Sequence, residues 1–322
     1  MKKITFRGKP YDANDQESVL DTLIRNGAIG MRPCTKGLCH ICLLRSPEQE
    51  LSGIAQLGLR PSLIELGYFR ACQYVPSSSI TVEPPREGDL FSRALVYRKE
   101  EVAPNIIRLL LDPATQLYYH SGQFINIKGK DGTLRSYSLA SVPYDDYCLE
   151  VHIKKIPNGS VSSWIFDELQ EGDVVEFQGP LGGCYYFTGE PHDKMLMIAS
   201  GTGLGTLLGI ARDALKSGHQ GEIHLYHGCS DALELYMTED LRGLTEEYPN
   251  FHFMQCASGE NIPAHVTAGK IPEVAFYHHK NLEGWRVYLA GNPKMVHQAE
   301  KDAEKYGANP VHIHTDPFED LS

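Results

Sequence analysis

Four of the eight cysteines in this chain have a spacing that constrains its fold more than any other feature. Cys34, Cys39 and Cys42 form a C-x4-C-x2-C pattern, and Cys72 follows after 29 intervening residues. Four thiolates at this spacing hold the two irons of a [2Fe–2S] centre, because one tight loop lets three sulfurs converge. A structural zinc site also uses four cysteines, usually as two short pairs such as C-x2-C. The spacing therefore predicts an iron–sulfur centre, with zinc as the alternative.

The loop around the first three cysteines contains one glycine, Gly37, which supplies conformational freedom that a Cβ would restrict. Its sequence is Cys34-Thr35-Lys36-Gly37-Leu38-Cys39-His40-Ile41-Cys42. This loop resembles the C-x-x-G-x-C-G-x-C loop of the plant-type ferredoxin family, with His40 in place of a glycine. The resemblance implies a ferredoxin domain with these cysteines and Cys72 as metal ligands. The other four cysteines stand singly, and we expect buried thiols there: Cys148, Cys184, Cys229 and Cys256.

The chain as a whole has the composition of a globular protein. Its 322 residues, 42% of them hydrophobic, can form two or three domains of about 100–150 residues each. The 30 Lys and Arg against 41 Asp and Glu give a formal charge of −11, which argues against a nucleic-acid partner. No apolar run suits a membrane span, and the polar start Met1 to Gly8 does not suit a signal peptide. We therefore expect a cytoplasmic protein that does not bind membranes.

The first 83 residues are predicted to form a small α+β domain. A strand is expected over Ile4 to Arg7 and a helix over Ser18 to Asn26, where apolar residues recur at helical spacing. Residues 76–79 and 84–89 are rich in Pro and Ser, then in Pro, Gly and charged residues, which suits a linker and not the interior of a strand or helix. The first domain is therefore predicted to end near residue 83.

Residues 88–189 are predicted to form an antiparallel β-barrel, and residues 190–322 an α/β domain with a mostly parallel sheet. In the barrel region, short strand candidates alternate with turns, and Val161 to Leu169 is the one helix candidate. Those strands are Ile106–Leu111, Phe124–Lys128, Cys148–Lys155 and Val174–Gln178. After Lys194 the pattern becomes apolar strand, glycine turn and long helix. Its first elements are Met195–Ala199, Thr206–Ser217 and Ile223–His227.

Two motifs in the barrel region have residues that suit a diphosphate and a flat ring. Arg135-Ser136-Tyr137-Ser138 is predicted as strand, so that Arg135 and Tyr137 share one face and the serines the other. An Arg can bind a diphosphate and a Tyr can cover an aromatic ring, although an exposed strand with a surface Arg has the same sequence. The segment from Asn158 to Ser163 enters the predicted helix, whose N-terminus can bind phosphate or can simply be capped by a serine.

In this order, and followed by Gly179-Pro180-Leu181-Gly182, these segments resemble the R-x-Y-S and G-x-x-S motifs of the ferredoxin–NADP reductase superfamily. The resemblance implies FAD, with Arg135 on its diphosphate, Tyr137 on its isoalloxazine and Ser138 near the reactive N5. Tyr137 and Ser138 are therefore the predicted catalytic residues. Further cofactor-binding residues implied in this way are Ser136, Gly159, Ser160, Val161, Ser162 and, either as a shield for the flavin or as an ordinary packing residue, Phe318.

The glycine-rich segment Ser200-Gly201-Thr202-Gly203-Leu204-Gly205 follows a buried-strand pattern. Glycines there let a diphosphate approach the N-terminus of the next helix, although many α/β folds need such a turn for geometry alone. The segment resembles the superfamily's G-G-T-G-x-x-P turn, with Ser200 at the first glycine and Thr206 at the proline. The resemblance implies that Gly201, Thr202 and Gly203 bind the nicotinamide coenzyme.

A second segment, Tyr288 to Val296, resembles the superfamily's Y-L-C-G-P-x-x-M-V signature beside the nicotinamide. Ala290 replaces the usual cysteine and Asn292 the usual proline. His227 to Ser230 resembles the region that contacts the adenosine end, and the lack of a basic residue at Ser230 favours NADH over NADPH. The coenzyme-binding residues implied by these segments are Gly228, Ser230, Gly291, Asn292, Pro293 and Met295.

The resemblance covers nearly the whole chain, in the order β-grasp ferredoxin domain, FAD barrel and nicotinamide domain. That order is similar to reductase components of bacterial oxygenases and of deoxysugar-forming dehydrases. It implies an enzyme that passes electrons from NADH or NADPH through FAD and a [2Fe–2S] cluster to a separate oxygenase or dehydrase component. Two alternatives stay open: a flavin or ferric reductase acting on small molecules, and a non-enzymatic binding or sensor protein whose cysteines hold zinc.

Overall fold

The structure is a computed structural model that describes residues 2–30, 34–47, 51, 53–187 and 191–318, apart from the side chain of Glu87. Within those residues the strands form a three-stranded sheet, a two-stranded sheet and two six-stranded sheets. The predicted boundary between the second and third domains, at residues 189 and 190, lies in the undescribed segment 188–190. The predicted boundaries themselves stay predictions.

The N-terminal region combines a small mixed sheet with short helices. Its elements are β1 Lys2–Phe6, β2 Lys9–Ala13, α1 Val19–Arg25, β3 Leu43–Arg45, α2 Pro61–Glu65, β4 Tyr68–Arg70 and β5 Ile80–Val82. Strand β1 pairs antiparallel with β2 and parallel with β5, while β3 pairs with β4. Helix α1 begins after Ser18, whose hydroxyl accepts a hydrogen bond from the Asp21 N–H, and packs its apolar face on the sheet. The predicted first strand and first helix are both present.

The prediction that residues 84–89 contain no helix was wrong. A short helix, α3, spans Glu87–Leu90. Asp89 of this helix accepts a 2.7 Å hydrogen bond from the Tyr68 hydroxyl, which in turn accepts one from the Arg86 N–H at 3.0 Å. Leu90 is buried against the N-terminal region. Long-range contacts therefore order a segment whose local composition favours a linker.

The central region is a closed antiparallel barrel, as predicted. Its elements are β6 Ser92–Ala103, β7 Ile106–Pro113, β8 Phe124–Lys128, β9 Leu134–Ser138, β10 Leu149–Lys154, α4 Ser160–Asp167 and β11 Val174–Leu181. The strand order is β10-β7-β6-β11-β8-β9, and a bridge between Leu139 and Val151 joins the two outer strands. Alternate residues fill the interior, and Val161 and Ile165 of α4 pack into the same core.

The C-terminal region is a six-stranded parallel sheet with helices on both faces. Its elements are β12 Lys194–Ser200, α5 Gly203–Lys216, β13 Ile223–Cys229, α6 Thr238–Glu247, β14 Phe251–Ala257, β15 Thr267–Ala268, α7 Ile271–His278, β16 Trp285–Gly291, α8 Pro293–Lys305 and β17 Ile313–Pro317. The order β15-β14-β13-β12-β16-β17 places β12 at the centre, which explains its uninterrupted apolar run. The predicted parallel sheet is confirmed.

Helix α5 begins at Gly203, three residues before the predicted start at Thr206. Glycine has a low helix propensity, but Gly203 and Gly205 are needed here for packing. A Cβ at Gly203 would lie 2.4 Å from the Ala290 carbonyl oxygen, and one at Gly205 would lie 2.7 Å from His152 Nδ1. Tertiary contacts thus outweigh the low helix propensity of glycine here.

Three of the four single cysteines are buried, as expected, whereas Cys229 is half-buried. Among the described residues, no helix has the length and apolar character needed to cross a membrane.

Candidate functional site

The strand with the predicted flavin motif, β9, meets the C-terminal domain through Ser138. The Ser138 hydroxyl donates a 2.6 Å hydrogen bond to Oδ2 of Asp316, which lies in β17. Thr206 Oγ1, in the first turns of α5, donates to the same oxygen at 3.0 Å. One carboxylate therefore connects the flavin motif, the glycine-turn helix and β17, the last strand of the described residues.

Asp316 is a functional candidate that the sequence reading missed. The residue is partly exposed, but protein surrounds its carboxyl group, and this burial raises the pKa of Asp316 despite the hydrogen bonds from Ser138 and Thr206. A raised pKa in a carboxylate beside a predicted cofactor site is typical of acid–base groups. Its position at the carboxyl end of a parallel strand is the one sequence signal that could have indicated it.

Arg135 and Tyr137 of the flavin motif lie on the opposite face of β9. Tyr137 packs against the barrel core, opposite Ile125 of β8. Arg135 is half-buried, and its Nη1 donates to the Leu134 carbonyl at 2.9 Å. The predicted separation of the Arg135–Tyr137 face from the serine face agrees with the cross-strand register.

Helix α4 places the second predicted flavin segment at an open helix N-terminus. Its N-cap is Gly159, which offers no side-chain hydrogen bond. A Cβ at Gly159 would lie 2.7 Å from Ser162 Oγ, and this hydroxyl already accepts the Ile156 N–H at 3.1 Å. Ser162 therefore shapes the turn, Val161 is buried, and Ser160 begins the helix. The backbone N–H groups and helix dipole at this end suit a phosphate of FAD.

The glycine turn forms a similar end on α5. Gly201 has a φ of +54°, and no atom lies within 4 Å of a Cβ built there. The N-cap of this 14-residue helix, Thr202, makes no side-chain capping bond. The Gly201 N–H donates to the Gly228 carbonyl at 2.9 Å, so the open space at Gly201 and the helix N-terminus that begins at Gly203 are what suit a coenzyme diphosphate here.

Two departures from the superfamily pattern are connected in space. The Asn292 N–H donates a 2.8 Å hydrogen bond to Ser200 Oγ, a bond that a proline at position 292 could not form. The Asn292 side chain accepts hydrogen bonds from the N–H groups of Lys294 and Met295, at 3.0 and 3.3 Å, and so caps α8. Pro293 occupies the first position of this helix.

The remaining predicted coenzyme residues are not all free for a ligand. Gly228 is buried, and a Cβ there would lie 2.6 Å from Ile271 Cβ, so it has a packing role. Ser230 is exposed just after β13. Gly291 has a φ of +114° and lies against Ser200, while the Phe318 N–H donates to the Gly291 carbonyl at 2.8 Å. Phe318 therefore lies beside the predicted nicotinamide segment.

The four motif cysteines lie together as two pairs. The Cys42 and Cys72 sulfurs are 3.3 Å apart, and Cys34 and Cys39 are joined by a thiol hydrogen bond. The bond within each pair lowers the pKa of Cys34 to about 5 and that of Cys72 to about 6, and it raises the pKa of the partner thiol. Among the described residues, no three His, Cys, Asp or Glu side chains surround a point that could hold a single ion. Two pairs fit a two-iron cluster, in which each iron takes two thiolates.

The loop backbone also suits a thiolate cluster. The N–H groups of Leu38 and Cys39 both lie 3.4 Å from Cys34 Sγ and donate to it. His40, which replaces a family glycine, adopts a φ of +54°, the left-handed conformation that glycine favours. Arg70 braces the loop by donating to the Gly37 carbonyl at 2.6 Å.

Matches to known proteins agree with this geometry. Residues 93–186 match the oxidoreductase FAD-binding domain family, and residues 197–301 match the oxidoreductase NAD-binding domain family. The flavin barrel and parallel-sheet nicotinamide domain therefore define an NAD(P)H-dependent flavin oxidoreductase of the ferredoxin–NADP reductase superfamily, as predicted.

Relatives match along almost the whole chain. The chain is 31% identical to the reductase subunit of an aromatic O-demethylase of Amycolatopsis sp., over 98% of each chain. It is 32% identical, over 95% of each chain, to the ferredoxin–NAD(P)(+) reductase component of the naphthalene 1,2-dioxygenase/salicylate 5-hydroxylase systems of Ralstonia sp.. The chain belongs to this family of reductase components.

Solved structures agree with that assignment. The cytochrome P450 reductase GcoB of Amycolatopsis matches with a TM-score of 0.73 and 29% identity over 100% of both chains. A ferredoxin reductase in carbazole 1,9a-dioxygenase matches with a TM-score of 0.69 and 22% identity over 99% of this chain and 98% of that one, which supports the fold alone.

Proposed function

We propose that this protein is the reductase component of an oxygenase or dehydrase system, and that it carries electrons from NADH through FAD and a [2Fe–2S] cluster to a separate protein. The observation that carries the proposal is the packing of the four-cysteine loop against the flavin-motif strand. Cys39 and Ile41 form an apolar cluster with Leu134, the residue before Arg135. A reductase that served only small molecules would have no use for a one-electron carrier at this place.

When bound, FAD accepts a hydride and releases its electrons singly, and the cluster carries one electron at a time. The chain's own residues bind and orient these groups. Arg135 and the N-terminus of α4, from Gly159 to Ser162, are assigned to the FAD diphosphate, and Tyr137 to its ring. The coenzyme is assigned to the turn Gly201 to Gly203 and to the segment Gly291 to Met295, with exposed Ser230 at its adenosine end and Phe318 beside the flavin.

Ser138 and Asp316 are assigned to proton handling at the flavin. Because burial raises the pKa of Asp316, its carboxyl binds a proton more readily than an exposed aspartate does. Its hydrogen bond to Ser138 Oγ would provide a route from the flavin site to the carboxyl for the proton that is released when reduced flavin gives up its electrons. Thr206, on the other side, holds the carboxylate in place.

The cluster is assigned to Cys34 and Cys39 on one iron and to Cys42 and Cys72 on the other. This assignment treats residues 1–83 as a ferredoxin domain of β-grasp type, followed by a FAD domain over 88–189 and a nicotinamide domain over 190–322. The β2-β1-β5 sheet with α1 packed across it supports the first of these domains.

Anaerobic purification followed by spectroscopy and acceptor assays tests the proposal. We expect flavin and iron–sulfur absorbance, two irons and two sulfides per chain, and faster reduction by NADH than by NADPH. NADH should then reduce the one-electron acceptor cytochrome c through the cluster. Zinc without iron would contradict the cluster. Fast reduction of free flavin or ferric chelate, with the cluster left oxidised, would favour the small-molecule reductase.

A further inference from the structure

Asn126, in β8, lies between the cysteine loop and the flavin-motif strand and is completely buried. Its Nδ2 donates a 2.8 Å hydrogen bond to the Cys39 carbonyl and a 3.1 Å bond to Gln178 Oε1. Its Oδ1 accepts a 2.7 Å bond from the Ser136 hydroxyl. One amide thus contacts the cysteine loop, the flavin strand and β11 at once.

These partners allow only one orientation of the Asn126 amide. Both acceptors, the Cys39 carbonyl and Gln178 Oε1, need an N–H group, and an amide nitrogen has two. If the amide were reversed, its oxygen would face two other oxygens and both of these bonds would be lost, while the Ser136 hydroxyl, which can also accept, would keep a partner. The side chain is therefore held rigidly, since an unsatisfied polar group in a buried site is costly.

The two partners at the ends of this connection belong to the two redox sites. Cys39 is an assigned cluster ligand, and Ser136 stands between Arg135 and Tyr137 of the flavin motif. Covalent bonds and two hydrogen bonds therefore run without a gap from the flavin strand through Asn126 to the sulfur of Cys39. Leu134 and Phe91 belong to the same apolar cluster as Cys39.

We propose that Asn126 is a positioning residue for electron transfer, which holds the cluster loop at a fixed distance from the flavin. The inference rests on the proposed function, because it requires the cluster. In each transfer the flavin loses one electron and the cluster gains one, and no covalent bond forms or breaks at Asn126. Electron tunnelling weakens steeply with distance, so a small retreat of the loop slows this step and leaves hydride transfer untouched.

Two substitutions at this position and one control separate positioning from general stability. Asn126→Leu has similar volume but forms none of the three bonds, and Asn126→Asp keeps the shape and removes both N–H donors. Gln178→Met removes a neighbouring buried partner and leaves the Asn126–Cys39 bond in place. The holoenzyme of each variant is mixed anaerobically with NADH in a stopped-flow spectrometer, which follows flavin bleaching and cluster bleaching at separate wavelengths.

We expect flavin reduction to stay within about twofold in all three variants, while cluster reduction slows roughly tenfold or more in both Asn126 variants. The Gln178→Met variant should stay within about twofold in both phases. Hydrogen–deuterium exchange supplies a readout that does not depend on turnover. Amides of residues 37–42 should exchange faster in the Asn126 variants than in Gln178→Met, with equal exchange in the β12–β13 region.

Unchanged cluster reduction in a folded Asn126→Asp variant that retains its cluster would overturn the inference and leave the proposed function intact. Equal slowing in Gln178→Met would also overturn it, since general loosening would then explain the effect. If Asn126→Leu does not fold, Asn126→Asp decides alone. A wild-type protein without iron–sulfur absorbance overturns both the inference and the proposed cluster.

Discussion

The barrel has two junctions, and they are built from different chemistry. Toward the cysteine loop, the central polar contact is a neutral amide, Asn126, which donates to Cys39 beside the apolar cluster of Cys39, Ile41 and Leu134. Toward the C-terminal domain, the central contacts involve carboxylates: Asp316 with Ser138 and Thr206, and Glu150 with its partners. The neutral junction is the one that only electrons are proposed to cross. The ionisable junction lies where the hydride and a proton are proposed to move.

The second part of the ionisable junction is a buried network on β10. Glu150 accepts a 2.7 Å hydrogen bond from Arg108 Nη2 and lies 2.8 Å from His152 Nε2. His152 Nδ1 lies 2.9 Å from the Tyr236 hydroxyl of the C-terminal domain. Burial alone would raise the pKa of Glu150, but its bonds to His152 and Arg108 lower it to about 2. This junction therefore responds to pH, whereas Asn126 has no proton to gain or lose.

The largest effect is expected from removal of a cluster ligand. Cys42→Ser should abolish the iron–sulfur absorbance and the NADH-driven reduction of cytochrome c, because one iron loses a thiolate. Ferricyanide accepts electrons directly from flavin, so its reduction should stay within about twofold, since the flavin and coenzyme sites lie in other domains. Cys256→Ser, a buried cysteine outside the pairs, is the control. Equal loss of both activities would show that the two junctions are not independent.

The next largest effect is expected at Asp316. Asp316→Ala should slow flavin reduction by NADH roughly 10²-fold, because the Ser138 hydroxyl loses the carboxylate that orients it at the flavin site. Thr206→Val removes only the second hydrogen bond to the carboxylate and should slow the step by about tenfold or less. Stopped-flow measurement of flavin bleaching compares the two variants. A normal rate of flavin reduction in Asp316→Ala would show that this carboxylate has no role at the flavin site.

The two junctions also show which parts of a site a sequence can predict. The first three cysteines, the R-x-Y-S strand and the glycine turn could be recognised because each lies within a short segment, and Cys72 could be added because its spacing from them matches a known pattern. Asp316 and Asn126 could not be recognised, because their partners Ser138 and Cys39 lie 178 and 87 residues away. A lone Asp or Asn has no periodic pattern, and only the fold brings it to its partner.

The fold shows the same difference between features set by local sequence and features set by distant contacts. The barrel strands and the parallel sheet follow from local patterns of apolar and turn residues, and they were predicted. Helix α3 and the early start of α5 were missed because contacts distant in sequence order them. In the sequence, Ser200 and Asn292 are two separate departures from a family pattern. In the structure, one hydrogen bond joins them.

A smaller effect is expected on stability when Glu150 is replaced. Its pKa is lowered from an ordinary 4.5 to about 2, so its contribution is present above pH 4.5 and is lost as the pH falls toward 2. Glu150→Gln should therefore lower the free energy of unfolding by up to about 3 kcal/mol at pH 7, and by less at pH 3. Urea unfolding between pH 3 and pH 7 measures the difference.

Replacement of Asp316 should change stability with pH in the opposite direction in the same experiment. A carboxyl with a raised pKa binds its proton more tightly in the folded state, so its contribution is present at low pH and is lost as the pH rises through its pKa. Asp316→Asn should therefore gain stability relative to wild type as the pH rises. If the stability of Glu150→Gln and of Asp316→Asn, each relative to wild type, changed with pH in the same direction, the opposite pKa shifts of the two carboxyl groups would be contradicted.

The smallest effect is expected at the rim of the ionisable junction, where α5 meets the barrel through ion pairs. Lys216 Nζ lies 2.7 Å from Asp145 Oδ1, but its side chain is 41% exposed, so Lys216→Ala should cost about 1 kcal/mol or less. Arg212 is only 21% exposed and donates to both carboxylate oxygens of Asp146 at 2.8 Å, so Arg212→Ala should cost more. Urea unfolding at low and high salt compares them. If salt changes the two variants equally, burial does not distinguish the exposed Lys216–Asp145 pair from the more buried Arg212–Asp146 pair.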